Sequence, residues 1–195
     1  MWDKILPWLA QAAGILILVF CVVQPLFKKK WQMLIVAAAT NLLGAFNNLV
    51  LVGLGSGVIL CLVAVAQTIF NYVHTRKEEE VPFWEKVVFT ILYVGCGIVG
   101  FLTATGFAPF ANILLTLREI LPIAGALFLM ISVFASNAQN MRKFSLVSAI
   151  IWLIYYTCIL STTALAEIFA VATTCFALYK YRQVPKAENS AENAD

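Results

Sequence analysis

The sequence predicts an all-α polytopic membrane protein, with seven transmembrane helices arranged as two parallel three-helix bundles joined by a linker helix. Three observations predict this. First, 62% of the 195 residues are apolar and 12% are charged, and the mean hydropathy is +0.90. That is more hydrophobic surface than a soluble domain of this length can hide. Second, apolar segments separated by charges or small polar residues fall at 6–27, 31–53, 57–75, 84–104, 120–136, 144–160 and 163–180, most of them close to the roughly 20 residues that a spanning helix needs. Third, Ala64-Val65-Ala66-Gln67-Thr68-Ile69-Phe70 returns 106 residues later as Ala170-Val171-Ala172-Thr173-Thr174-Cys175-Phe176, with five of the seven positions identical. Self-similarity at a fixed offset marks an internal repeat.

Each segment has its own justification. The first ends in Lys28-Lys29-Lys30 with no small-residue cleavage site near its end, so it is a span and not a signal peptide. The second and third meet at the turn Gly53-Leu54-Gly55-Ser56-Gly57, and the third ends before Arg76-Lys77. The fourth carries the chain back across the bilayer. Residues 105–119 form the longest outer connection, and their Phe107, Phe110, Ile113, Leu114, Leu115 and Leu117 suggest a segment lying in the interface. The sixth and seventh adjoin through Ser161-Thr162-Thr163. One continuous helix over 144–180 would be about 55 Å long, beyond a hydrocarbon core of about 30 Å. From Gln183 the chain is polar and carries Pro185, so a disordered tail is expected over 183–195. The units are then 1–77 for the first bundle, 78–119 for the linker helix and outer segment, and 120–182 for the second bundle.

Charge sets the orientation. On a seven-span path, 11 of the 13 Lys and Arg fall on one side, with only Lys4 and Arg118 opposite. Cytoplasmic loops hold the positive excess, which predicts an N-terminus outside and a C-terminus inside. Trp2, Trp8, Trp31, Trp84, Tyr72, Tyr179 and Tyr181 fall near segment ends, where interfacial aromatics belong. The net charge of +3 is small and its basic residues sit beside apolar runs, so no nucleic-acid partner is expected. The five cysteines lie inside apolar runs without CxxC spacing and are expected to pack, not to bind metal.

The repeat extends without gaps through Ala45–Tyr72 against Ile151–Leu178, pairing Phe46 with Trp152 and Gly55-Ser56 with Ser161-Thr162. With gaps, Lys29-Lys30-Trp31 pairs with Arg142-Lys143-Phe144, and Ala13-Gly14 with Ala124-Gly125. Both triplets then start outside and end inside, so they run parallel and need the fourth span between them. The alternative is that two apolar helices share Ala, Val and Thr by chance.

The runs Arg118-Glu119-Ile120-Leu121-Pro122-Ile123-Ala124-Gly125, Met141-Arg142-Lys143, Ile151-Trp152-Leu153-Ile154, Ala166-Glu167-Ile168-Phe169 and Tyr179-Lys180-Tyr181-Arg182 resemble the C-terminal half of the YgjV-type family of bacterial inner-membrane proteins. The N-terminal half is similar more weakly, through Trp8-Leu9-Ala10-Gln11, the basic first loop and Thr75-Arg76-Lys77. That family is grouped by similarity with the MtN3-like superfamily, which includes SWEET sugar transporters and PnuC vitamin-precursor transporters. The resemblance implies the fold and an inner-membrane location, and names no substrate. SWEET-like proteins carry a Pro-Gln hinge pair in the first span of each triplet. Here the order is Gln24-Pro25, with no proline at the matching end of the fifth span, which counts against symmetrical hinging. The tryptophan-rich motif of PnuC is absent from the third span.

Six residues form the expected substrate site: Asn48, Gln67, Asn71, Trp152, Tyr156 and Glu167. Apart from Glu85 at the very start of the fourth segment, Glu167 is the only acidic side chain inside any predicted span. A carboxylate at the bilayer centre costs about 2.5–3.5 kcal/mol, so it faces a cavity, is paired or protonated, or lies shallowly, about 6 Å below the outer border. Gln67, Asn71 and His74 recur at i, i+4 and i+7, a stripe that lines a pathway or joins helices. His74 reads as solvated beside Arg76. Asn41, Ala45 and Asn48 share a helical face with Gly44 beside it, while Asn47 points more sideways. Trp152, Tyr155 and Tyr156 either stack on a solute or pack, and the SWEET resemblance adds weight to Trp152. Arg118 and Glu119 read as an exposed rim ion pair. No catalytic set, Walker pattern or cluster of metal ligands occurs in plausible context, so no enzyme activity, cofactor or metal is expected.

The expected function is a uniporter or proton-coupled carrier of a small polar metabolite, working by alternating access between the two bundles. The expected partners are the lipid bilayer and that solute, and a homo-oligomer is compatible with the sequence. The rival is a non-transporting inner-membrane scaffold or regulatory subunit. A cavity reaching Glu167 or Trp152 discriminates between them, because a scaffold predicts a dry, closed bundle.

Overall fold

The computed structural model of the chain describes residues 2–106 and 112–181. It contains seven α-helices: α1 (Trp2–Val23), α2 (Lys30–Leu51), α3 (Ser56–Arg76), α4 (Phe83–Ala104), α5 (Ile113–Phe134), α6 (Ala138–Cys158) and α7 (Thr163–Lys180), with a 3₁₀ turn at Gln24–Leu26. Among the described residues there is no strand. Six of the helices are long and apolar enough to cross a membrane, and α6 is the exception. The reason is its inner face, which buries Arg142, Ser148, Trp152, Tyr155 and Tyr156, while Phe144, Val147, Ile150 and Ile154 on the other side are exposed.

Two helices start earlier than apolarity alone suggests, because each has an asparagine cap. The Asn112 side chain accepts from the Leu115 N–H at 3.1 Å, and Asn137 accepts from the Asn140 N–H at 2.8 Å. A side-chain oxygen that satisfies a free N–H of the first turn is a strong helix start. The expected outer segment is therefore corrected in part. Ile113, Leu114, Leu115 and Leu117 belong to the first turns of α5, while Phe107 and Phe110 lie outside the described residues, as does the expected tail 183–195.

Substantial packing joins α1 to α2, α2 to α3, α3 to α5, α5 to α6, α6 to α7 and α7 back to α1, with α4 outside this ring against α3 and α5. Small residues allow the close approaches. A Cβ on Gly100 of α4 would fall 2.6 Å from the Ser56 backbone. The basic connections meet at one end of the ring. There the Arg76 guanidinium lies 5.0 Å over Trp31, Arg142 lies 4.7 Å over Tyr181, and the Tyr181 hydroxyl donates to the Leu26 carbonyl at 3.1 Å. Exposed Ile15, Leu16, Phe70, Ile91, Ile98 and Phe176 cover the outside, as a bilayer solvent requires.

Burial follows the repeat. All six buried positions of α7, namely Thr163, Ala166, Glu167, Ala170, Thr174 and Ala177, lie 106 residues after buried Gly57, Leu60, Cys61, Ala64, Thr68 and Asn71 of α3. Between α2 and α6 the offset is instead 108, pairing Met33, Leu34, Gly44, Asn47 and Asn48 with Met141, Arg142, Trp152, Tyr155 and Tyr156. The ungapped pairing of Phe46 with Trp152 is thus corrected, since Phe46 is 36% exposed and Trp152 only 7%. Two residues are about 200° of helix; the two turns are equally long, and the slip falls on the helix ends, with one extra residue at the end of α2 and one at the start of α3. Gly53 (φ 86°) and Leu160 (φ 52°), 107 apart, take the same left-handed place after α2 and α6.

Candidate functional site

A cavity of about 100 Å³ lies between α1, α2, α6 and α7, with Cys61 of α3 and Leu129 of α5 completing its wall. Glu167, Trp152 and Tyr156 line one part, and Arg142, Gln24 and Pro25 line another. Ten residues of α6 separate Trp152 from Arg142, about 15 Å along the axis. Two glycines make the room. A Cβ on Gly44 would sit 3.6 Å from both Cys61 Sγ and the Tyr156 hydroxyl, and one on Gly125 would sit 2.9 Å from Trp152 Nε1. The Trp152 and Tyr156 rings stack at 5.5 Å, and Tyr155 meets both edge-on.

Glu167 is 9% exposed and is part of the cavity lining. Among the described residues no hydrogen bond or ion pair engages it. Arg142 is the opposite case: Nε donates to the Pro25 carbonyl at 3.0 Å, Nη2 to Phe27 O at 2.7 Å and Nη1 to Gln139 Oε1 at 3.0 Å. The sequence showed Arg142 only as part of a basic loop. Its saturation by carbonyls of the α1–α2 connection depends on contacts 115 and 117 residues apart.

The other expected residues do not join this cavity. Asn48 is buried beside it, donating to Cys61 Sγ at 3.9 Å and accepting from the Tyr155 hydroxyl at 3.4 Å. Gln67 is committed to the α3–α4–α5 junction, where it donates to Met130 O at 3.2 Å and accepts from the Tyr93 hydroxyl at 2.8 Å. Asn71 is 1% exposed, and neither amide atom has a partner among the described residues. His74 is half-buried and paired: its Nε2 lies 3.0 Å from Glu85 Oε2 and its Nδ1 lies 3.4 Å from Glu79 Oε2.

Three polar groups stand out beyond the expected set. Asn47 donates to the Ala10 carbonyl at 2.7 Å and accepts from Ser161 Oγ at 3.1 Å, tying α1, α2 and the α6–α7 turn together. Glu119 is 2% exposed and accepts from the Ser56 N–H at 3.1 Å and from Ser56 Oγ at 2.6 Å. The expected exposed rim pair is therefore corrected: Arg118 Nε does lie 3.3 Å from Glu119, but the carboxylate is buried as the cap of α3. Glu85, 7% exposed on α4, is the third. Glu167 is thus not the only acid within the helices, although among the described side chains it is the one without a partner. Asn112, seven residues before Glu119, was the sequence signal that places Glu119 inside a helix.

The fold and the cavity together define a class: a polytopic helical membrane protein with a polar, partly aromatic interior. The chain belongs to the Imp-YgjV family of bacterial inner membrane proteins, whose model matches residues 8–184. Neither the search of curated proteins nor that of solved structures finds a match.

Proposed function

We propose that this chain is an inner-membrane transporter for a small polar metabolite, a uniporter or proton-coupled carrier in which two parallel triplets, α1–α3 and α5–α7, rock about the cavity. One observation carries the reading. The cavity reaches both Glu167 and Trp152 and continues to Arg142 and Pro25, where a helical scaffold needs only a closed core. The ring supports it further, because the main helix packing between the triplets lies at the α1–α7 and α3–α5 seams, and alternating access requires such seams to open in turn. The basic end of the ring is assigned to the cytoplasm by its charge, which puts the N-terminus outside and the C-terminus inside.

In this reading Glu167 carries the proton. A stabilisation screen of the purified protein against a metabolite panel identifies the solute, and uptake into proteoliposomes then tests coupling. Glu167→Gln is expected to keep the wild-type melting profile and lose the pH dependence of uptake. Unchanged pH dependence rejects that role, and no uptake of any stabilising solute favours the scaffold.

A further inference from the structure

We propose that the Glu167 end of the cavity binds a small alkylammonium ion. This rests on the reading of the cavity as the transport site and names its ligand class. The first ground is the ionic balance of the wall. Two charged residues line the cavity. Arg142 has three oxygen acceptors and a ring, whereas Glu167 has no partner among the described residues. A buried carboxylate without a partner costs free energy unless a proton or a cation joins it.

The second ground is what the remaining wall offers. Thr40 and Asn41 donate to carbonyls of their own helix at 2.9 and 2.8 Å. Ser148 donates to Gly125 O at 2.9 Å, and Ser145 shares a hydrogen bond with Ser132 at 2.6 Å. The hydroxyls of Thr40, Ser145 and Ser148 have spent their donors, so that part of the wall offers little to a polyol. Trp152 and Tyr156 instead offer aromatic surface, which attracts an ammonium group and its alkyl substituents. The third ground is size. At about 100 Å³, against the roughly 150 Å³ that holds the six heavy atoms of benzene, the cavity limits the ligand to about four or five heavy atoms. A divalent metal is disfavoured because the described residues contain no group of three or more metal-ligating side chains. The other titratable groups of the lining are Cys21 from α1, Cys61 from α3 and Tyr156 from α6, while α2 and α5 contribute none.

Three shape-matched probes test this on the purified full chain by titration calorimetry: tert-butylammonium, tert-butanol and pivalate. The ammonium ion is expected to bind saturably, and the alcohol and the carboxylate at least about tenfold more weakly. Glu167→Gln should abolish the difference between ammonium and alcohol. Trp152→Phe should weaken ammonium binding by about threefold. Should the glutamine variant not stay monodisperse, Glu167→Asp replaces it and is expected to keep the preference for ammonium. Equal binding of alcohol and ammonium, no ammonium binding, or a preference that survives Glu167→Gln would overturn the proposal. If tert-butylammonium fails to bind while a screened metabolite is still taken up, the ligand class is wrong and transport stands. Ammonium binding without any uptake keeps the site and removes the transport reading.

Discussion

Two residues show how much depends on missing atoms. Gly125 has no side chain, and that absence lets the Trp152 indole sit against α5, with Nε1 2.9 Å from where a Cβ would be. Gly125→Ala is expected to push the ring off its place and to cost about 1–3 kcal/mol, read as a lower melting temperature and a shifted tryptophan emission. Glu119 works the other way, by supplying acceptors to the first N–H of α3 and to Ser56 Oγ. A carboxylate at a helix N-terminus also meets the positive end of its dipole. Glu119→Ala leaves buried donors unpaired, so thermal unfolding should show a loss of about 1–3 kcal/mol. Of the six residues expected to form the site, Trp152, Tyr156 and Glu167 share one cavity. Sequence could pick out their chemistry, but not that Gln67 had found partners on α4 and α5.

At the scale of the element, the two helix–turn–helix units α2–α3 and α6–α7 solve one problem with different residues. Each helix must stop and reverse within four residues, Val52–Gly55 and Ile159–Thr162, and each does so through a left-handed residue. Glycine takes that conformation freely at 53, whereas Leu160 carries a Cβ penalty of about 1–2 kcal/mol. Leu160 is 88% exposed, so its side chain has little packing to lose. Leu160→Gly is therefore expected to raise stability by about 1 kcal/mol and Gly53→Leu to lower it by a similar amount, both read from thermal unfolding. Two helix starts were missed because their caps, Asn112 and Asn137, went unrecognised in the sequence. Apolarity alone placed α5 seven residues late and α6 six residues late, because a capped first turn can be polar and still be helical.

For the whole molecule, the decisive feature is closure. The first and last helices pack together, and the Thr162 hydroxyl donates to Gln11 Oε1 across that seam. In a chain whose five native cysteines are replaced by alanine, Gln11→Cys with Thr162→Cys should form an oxidised cross-link. The product would be a monomer of altered gel mobility, and a failure to cross-link would show the ring to be open. Terminal tags test the orientation separately: only the C-terminal tag is expected to be shielded from outside reagents in intact spheroplasts.

What the sequence determined by itself was the solvent and, among the described residues, the number of helices. Hydrophobic content, segment length and the bias of Lys and Arg are additive along the chain and need no contact to be read. The same holds for the phase of α3 against α7, where one offset of 106 carried every buried position of α7. Only the tertiary structure decided which polar groups were satisfied. Arg142 and Glu119 are held by partners far off in sequence, while Glu167 faces a cavity whose walls come from six helices. Burial removes water as the default partner, so the state of each buried polar group is set by whatever the fold brings beside it.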